Sequence, residues 1–293
     1  MSQIRRIAVF TTSLGMAAAG TLAVGTASTA QAAEASVAAA AAPTVQVHVT
    51  RKHKVLTRQN LRPGTHKFMI TSARHAAFQL AKPAAGYTKA EATRDINRGL
   101  NGGKIPALKR FERNIVLLGG VSSSPNAPGV MWANLTAGRY WAVDTNVRRT
   151  RVRHFKTLQV AGQRVAGVAH PTTVIRAIDS TKWGPRPKRI DHRGRLMLRN
   201  SSDQNHFIIL ARLAKGKTMK DFKAWIEGGA ETPPPIDESA PGLDTGVVSP
   251  GHRMTMKYQL PRGRYVLICF WPDADMGGMP HAFMGMYRGI RLI

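Results

Sequence analysis

The only cysteine of this 293-residue chain, Cys269, lies near the C-terminal end in the apolar run Tyr265-Val266-Leu267-Ile268-Cys269-Phe270-Trp271-Pro272. Eleven residues separate it from His281, Met286 follows five positions after that histidine, and His206 opens an apolar stretch upstream. A thiolate, two imidazoles and a weak thioether make up the ligand set of a mononuclear blue-copper site. The sulfur donors favour Cu(I) and imidazole accepts Cu(II), so a rigid compromise geometry limits reorganisation as an electron arrives and leaves. Other readings use the same residues. A lone cysteine in an apolar strand also serves as an inert small hydrophobe. Met284 is an alternative to Met286, and Met276, Met279, Met284 and Met286 could be core filler or an exposed cluster that passes Cu(I) on.

Such donors need strands to carry them. Period-2 alternation marks Val45-Gln46-Val47-His48-Val49, Lys67-Phe68-Met69-Ile70 and Phe78-Gln79-Leu80, with turn signals at Pro63-Gly64, Gly119-Gly120 and Pro128-Gly129. Short strands bounded by turns predict a β-sandwich or barrel. The second half repeats the order of the first. Thr172 to Arg176 opens it as Thr44 to Val49 opens the other; Leu196 to Asn200 answers Phe68 to Ser72, and His206 to Leu210 answers His75 to Leu80. Each half then reaches a glycine and a helical stretch, with Thr88 and Thr218 as N-caps. Leu135-Thr136-Ala137-Gly138-Arg139-Tyr140 matches Leu260-Pro261-Arg262-Gly263-Arg264-Tyr265, each just before an apolar strand. The expected architecture is therefore all-β: two tandem Greek-key β-sandwich domains, residues 44–168 and 169–293, each with a short helix inserted. The Glu231–Gly246 segment, made extended by its Pro233-Pro234-Pro235 run, is expected to be a surface loop.

With these residues in view, the chain resembles the cupredoxin family, over essentially all of 170–293 and more weakly over 44–168. The order His206, Cys269, His281, Met286 is the family's order. The resemblance implies imidazole ligation by His206 and His281, thiolate ligation by Cys269, and Met286 as the axial thioether around one copper ion. Two features depart from the family: the long Cys269–His281 gap, and Phe207 where an asparagine often braces the thiolate. By the Gly138-Arg139-Tyr140 match, Asp144 stands where Cys269 stands, with His75 at the position of His206, so the first domain is expected to be a degenerate, metal-free copy.

Tandem multicopper oxidases and copper nitrite reductases place a histidine beside the cysteine. Here Ile268 and Phe270 flank it, and no His-x-His pair occurs. A phosphate loop, a serine nucleophile elbow and a His-Glu-x-x-His motif are likewise missing. The expectation is a non-enzymatic copper protein for electron transfer or copper handling, with a redox partner protein the sequence does not name.

Lys and Arg number 43 against 16 Asp and Glu, a formal net charge of +27. Residues 34–168 hold 22 basic and 5 acidic side chains, residues 169–293 hold 19 and 11, so the excess sits on the half without the ligands. Its densest run is Arg148, Arg149, Arg151, Arg153 and Lys156. Arg149, Arg151 and Arg153 would share one face of a strand. The alternative function is thus a metal-free scaffold that docks through this face on an anionic cell-wall polymer or membrane surface. Aromatic interleaving that would favour nucleic acid is lacking.

Residues 1–33 read as a secretory signal peptide: Arg5 and Arg6, a weakly apolar stretch to about Ala27, and Ala30-Gln31-Ala32 as cleavage pattern. Residues 34–43 read as an Ala-rich flexible linker. Secretion to an extracytoplasmic compartment follows, by the general or the twin-arginine route. A single cysteine rules out an intramolecular disulfide there, so the thiol must be buried or bound to something.

Overall fold

Alternation in the sequence becomes alternation of burial. In strand β1 (Thr44–Val49) the three valines face inward while Thr44, Gln46 and His48 are exposed. The computed structural model describes residues 41–146 and 152–293. The signal peptide, all but the last three linker residues, and Arg148, Arg149 and Arg151 lie outside that span.

The first half continues with β2 (Val55–Thr57), β3 (Asn60–Leu61), β4 (Gly64–Ser72), β5 (Ala76–Pro83), β6 (Ile115–Ser123), β7 (Gly129–Leu135), β8 (Gly138–Asp144) and β9 (Phe155–Val160). The second contributes β10 (Thr173–Asp179), β11 (Lys182–Trp183), β12 (Arg189–Ile190), β13 (Arg193–Asn200), β14 (Ile209–Arg212), β15 (Leu243–Asp244), β16 (Arg253–Gln259) and β17 (Gly263–Ile268). It ends with β18 (Pro272–Asp273), β19 (Met279–Pro280) and β20 (Tyr287–Leu292). The chain is all-β in character, and the two halves use one pairing scheme. Strand β1 lies parallel to β4 and β4 antiparallel to β7; β10 lies parallel to β13 and β13 antiparallel to β16. Facing these, β5 pairs with β6 and β8, and β8 with β9, while β14 pairs with β15 and β17, and β17 with β20. Equivalent residues occupy equivalent rungs: Val45 opposes Phe68 as Thr173 opposes Leu196.

The halves are not separate bodies of sheet. Strands β7 and β16 pair antiparallel, Met131 opposite Met256, and fuse one sheet of each half into a single eight-stranded sheet. Phe68, Ile70, Met131, Leu135, Leu196, Leu198 and Met254 are buried at that sheet. Each such side chain removed from water contributes about 1.5–3 kcal/mol before entropy is counted.

Local signals fix the ends of elements. Thr88 caps helix α1 (Lys89–Ile96) and Thr218 caps the helix Met219–Glu227, each in a reciprocal capping box, with Glu91 and Asp221. Tyr265 Oη donates to the Pro261 carbonyl at 2.8 Å, and Tyr140 Oη donates to that of Thr136 at 2.9 Å, so the matched Tyr motifs lock the same corner twice. The first half carries more helix than expected. A π-turn over Asn97–Asn101 links α1 to a second helix, α2 (Ile105–Asn114), and the Met219–Glu227 helix becomes α3.

Two expectations are corrected. Gly119-Gly120 is not a turn but the middle of β6, where the β5 register shifts between Gln79 and Ala81. A Cβ on Gly120 would stand 1.8 Å from the Phe78 carbonyl oxygen, and Gly119 adopts φ +87°. The segment Glu231–Gly246 is not simply a surface loop. Ile236, Leu243 and Thr245 are buried, and Thr245 bridges to Val121 of the first half. In the linker, Ala41 forms a parallel bridge with Val168.

Candidate metal centre

Cys269 is the first residue beyond β17, and its N–H continues the ladder by donating to the Met286 carbonyl at 3.2 Å. The long loop then folds back on itself. The Asp273 carboxylate accepts from the backbone N–H groups of Asp275 and Met276, and Gly277 and Gly278 take φ +67° and +85°. Positive φ suits glycine because it has no Cβ to clash. Pro272 then pairs with Pro280, and the His281 N–H donates to the Trp271 carbonyl at 2.9 Å. The eleven-residue gap is thus absorbed by a small hairpin, which returns His281 to Cys269. A 3-10 turn over His281–Met284 ends at Gly285, and the Met286 N–H closes it on the His281 carbonyl. His206 comes from the other side of the core. Its backbone exchanges both hydrogen bonds with Val248, and the Asn200 amide holds the preceding loop through the Gln204 and Val248 carbonyls.

Three of the four expected donors meet. Cys269 Sγ lies 3.7 Å from Nδ1 of His206 and 3.7 Å from Nδ1 of His281, and the two Nδ1 atoms are 3.1 Å apart. All three residues are fully buried. A triangle with these sides has a centre about 2.0 Å from each corner, the length of a first-row metal–imidazole bond and slightly under that of a metal–thiolate bond. The second His206 nitrogen, Nε2, lies 2.8 Å from Ser202 Oγ. With Nε2 as the donor, the Nδ1 lone pair is free to face the centre. Met286 is also fully buried, in the same core cluster as Cys269, whereas Met284 is partly exposed. Met276 and Met279 are exposed.

Electrostatics keep the imidazoles neutral. Burial, then the facing His281 ring, pushes His206 down to about 3. Burial pushes His281 down to about 4, against a pull from Asp273 and Asp203. Burial pushes the Cys269 thiol up to about 12, while the Phe207 and Trp271 backbone groups hydrogen-bond the sulfur and pull it the other way. Phe207 thus offers the sulfur its main chain.

The equivalent position of the first half carries a different side chain. Asp144 occupies the place of Cys269. It accepts from the N–H groups of Ala77 and Asn146 at 2.9 and 3.0 Å, the counterparts of Phe207 and Trp271, and pairs with His53 Nδ1 at 2.6 Å. The ladder also corrects the histidine match. Gln79 opposes Val143 as Ile209 opposes Ile268, so Ala76, not His75, corresponds to His206.

Sequence reasoning missed Glu112. This α2 residue of the first half accepts from Trp271 Nε1 at 2.7 Å and from Asn205 Nδ2 at 3.2 Å, each next to or near a ligand of the second half. Asn205 Oδ1 in turn accepts from Ser249 Oγ, and Lys109 of α2 pairs with Asp275 of the ligand loop. Of the basic run, Arg148, Arg149 and Arg151 lie outside the described residues; Arg153 is exposed outside any strand, and Lys156 is partly exposed in β9.

No family model and no curated protein matches the sequence. Among solved structures, auracyanin B is similar at 16% identity over 43% of this chain and 92% of its own, with a TM-score of 0.27. An auracyanin from Roseiflexus castenholzii is similar at 19% identity over 42% and 97%, TM-score 0.27. Lac15 from a marine microbial metagenome is similar at 12% identity over 77% of this chain and 61% of its own, TM-score 0.23. At such scores these likenesses add nothing to what the strand pairing and the donor triangle establish.

Proposed function

We propose that His206, Cys269 and His281 would hold one copper ion, with the Met286 thioether as a weaker fourth donor, and that the protein serves electron transfer or copper handling outside the cytoplasm. The observation that carries this is the triangle of two imidazole nitrogens and one sulfur whose centre lies about 2.0 Å from each donor. Bound there, copper would supply a one-electron couple. The protein's own part is to hold three donors in a buried, prearranged cluster, keep both imidazoles unprotonated and exclude water from the sulfur. The proposal includes a tandem organisation, residues 44–168 as a domain that has exchanged its thiolate for the Asp144–His53 pair and 169–293 as the copper domain. It also includes export by the N-terminal signal. The centre is a single one, since Ile268 and Phe270 flank Cys269 where a coupled second centre would need a histidine. Among the described residues, no helix is long and apolar enough to cross a membrane.

The test is reconstitution with Cu(II). The expected result is one ion retained per chain after desalting and an intense thiolate-to-copper band in the visible. Cys269→Ser should abolish the band with unchanged far-ultraviolet circular dichroism. A colourless wild-type protein that retains no copper would overturn the assignment.

A further inference from the structure

Beside the metal centre, between the two halves, lies a cavity of about 760 Å³. That is within the range of pockets that take small organic molecules. Its walls come from the α1–α2 region, including Leu100, Ile105 and Phe111, and from the segments that carry the ligands. Phe207 follows His206, Phe270 and Trp271 follow Cys269, and Pro280 precedes His281. An occupant would touch the neighbours of all three donors.

Its charge is out of keeping with the rest of the chain. In a protein with 43 basic and 16 acidic residues, neither Lys, Arg nor His lines this cavity among the described residues. Among the described residues, the single charged side chain in its lining is Asp244, on β15. This residue is partly exposed and lines the cavity. Among the described residues its carboxyl has neither a hydrogen-bond nor an ion-pair partner, and burial alone pushes it up to about 7. A carboxylate set in a mostly apolar wall with no partner among the described residues is costly, and a donor supplied by a ligand removes that cost. Two buried polar side chains of the wall are already engaged: the Gln79 amide with the Leu80, Gly119 and Val247 carbonyls and the Val247 N–H, and the Thr245 hydroxyl, which accepts from the Ile208 N–H.

We propose that this cavity binds a lipophilic amine, an apolar and largely flat molecule whose single ammonium group pairs with Asp244 while its body packs against Leu100, Phe111, Phe207 and Trp271. The assignment does not depend on copper, because none of these residues is a proposed ligand.

The experiment titrates metal-free, full-chain protein at pH 8 with 2-naphthylmethylamine, 2-naphthylmethanol and 2-naphthoate, following tryptophan fluorescence and calorimetric heat. One amine should bind per chain, about tenfold or more tighter than the alcohol, and the carboxylate should bind at least about a hundredfold more weakly than the amine. Asp244→Asn should bring the amine down to the affinity of the alcohol. Leu100→Trp should fill the cavity and abolish both; Asp244→Asn, which keeps the side-chain shape, carries the test if the larger residue impairs folding. The proposal is overturned if the amine does not saturate, if Asp244→Asn leaves its affinity unchanged, or if the alcohol or the carboxylate binds as tightly. Because the readout uses metal-free protein, failure to bind copper and failure to bind the amine are separate results.

Discussion

Glu112 belongs to the half without ligands, yet it clasps the segments that carry two of them. Replacing it with alanine removes one acceptor from two buried donors, Trp271 Nε1 at 2.7 Å and Asn205 Nδ2 at 3.2 Å. Trp271 and Asn205 are both buried, so water does not freely take the place of the carboxylate. Each orphaned donor costs about 1–3 kcal/mol, giving roughly 2–4 kcal/mol when partial relaxation is allowed. Glu112→Gln is the control, because an amide oxygen still accepts both bonds. Burial raises the Glu112 pKa, with the Trp271 and Asn205 hydrogen bonds pulling it down, so the neutral amide also avoids a desolvation cost. The glutamine variant should therefore lie within about 1 kcal/mol of wild type. Urea denaturation of the metal-free protein at pH 7, read by circular dichroism, separates the two. Copper affinity should fall with Glu112→Ala and stay close to wild type with Glu112→Gln, because only the first frees Asn205 and Trp271 to move. If alanine costs less than about 0.5 kcal/mol, or if glutamine costs as much as alanine, the clasp does not position the centre and the reasoning fails.

Proton release gives a second check on the centre. With His206 and His281 neutral above about 3 and 4, and the Cys269 thiol protonated below about 12, loading Cu(II) between pH 6 and 8 should release one proton per ion. Affinity should rise about tenfold per pH unit there, and calorimetry in buffers of different ionisation enthalpy measures the count; release of two or three protons would contradict neutral buried imidazoles. Asp244 has a folded pKa raised from 3.8 to about 7, so its stabilising contribution is complete below pH 3.8 and is lost as pH rises through 7. Asp244→Asn should accordingly stabilise the metal-free protein at pH 8 by about 2–4 kcal/mol and by nearly nothing at pH 4, as denaturant titration at the two pH values would show. For the two tyrosine corners, Tyr265→Phe loses one hydrogen bond and should cost about 1 kcal/mol. Tyr140→Phe also orphans the Thr136 N–H and should cost more in the same assay.

Much of the centre was legible because its signals are chemical or local. Ligand type can be read residue by residue, and the order His206, Cys269, His281 is preserved in the folded site. The Asp144 substitution followed from the Gly138-Arg139-Tyr140 match. The caps at Thr88 and Thr218 depend on N–H groups three residues away, which donate to the threonine hydroxyls. What was misread depends on register or on distant partners. His75 was matched to His206 by residue type, but pairing of β5 with β8 sets the position one residue along. Gly119-Gly120 carries a turn composition, yet the close approach of β5 makes it a strand bulge.

The sequence by itself pointed to the candidate donors His206, Cys269 and His281, their order along the chain, the β-rich architecture with its repeated strand order, and Asp144 at the position that matches Cys269. These depend on side-chain chemistry, on period-2 burial and on contacts a few residues long. Only the tertiary structure decided that the long loop folds into a hairpin bringing His281 within 3.7 Å of Cys269, and that the halves share an eight-stranded sheet. It alone placed Glu112, 159 positions from Trp271 and 93 from Asn205, on the ligand segments, and left Asp244 alone in an apolar cavity. Such contacts arise where one half packs on the other, and no periodicity or spacing along the chain records which faces will meet.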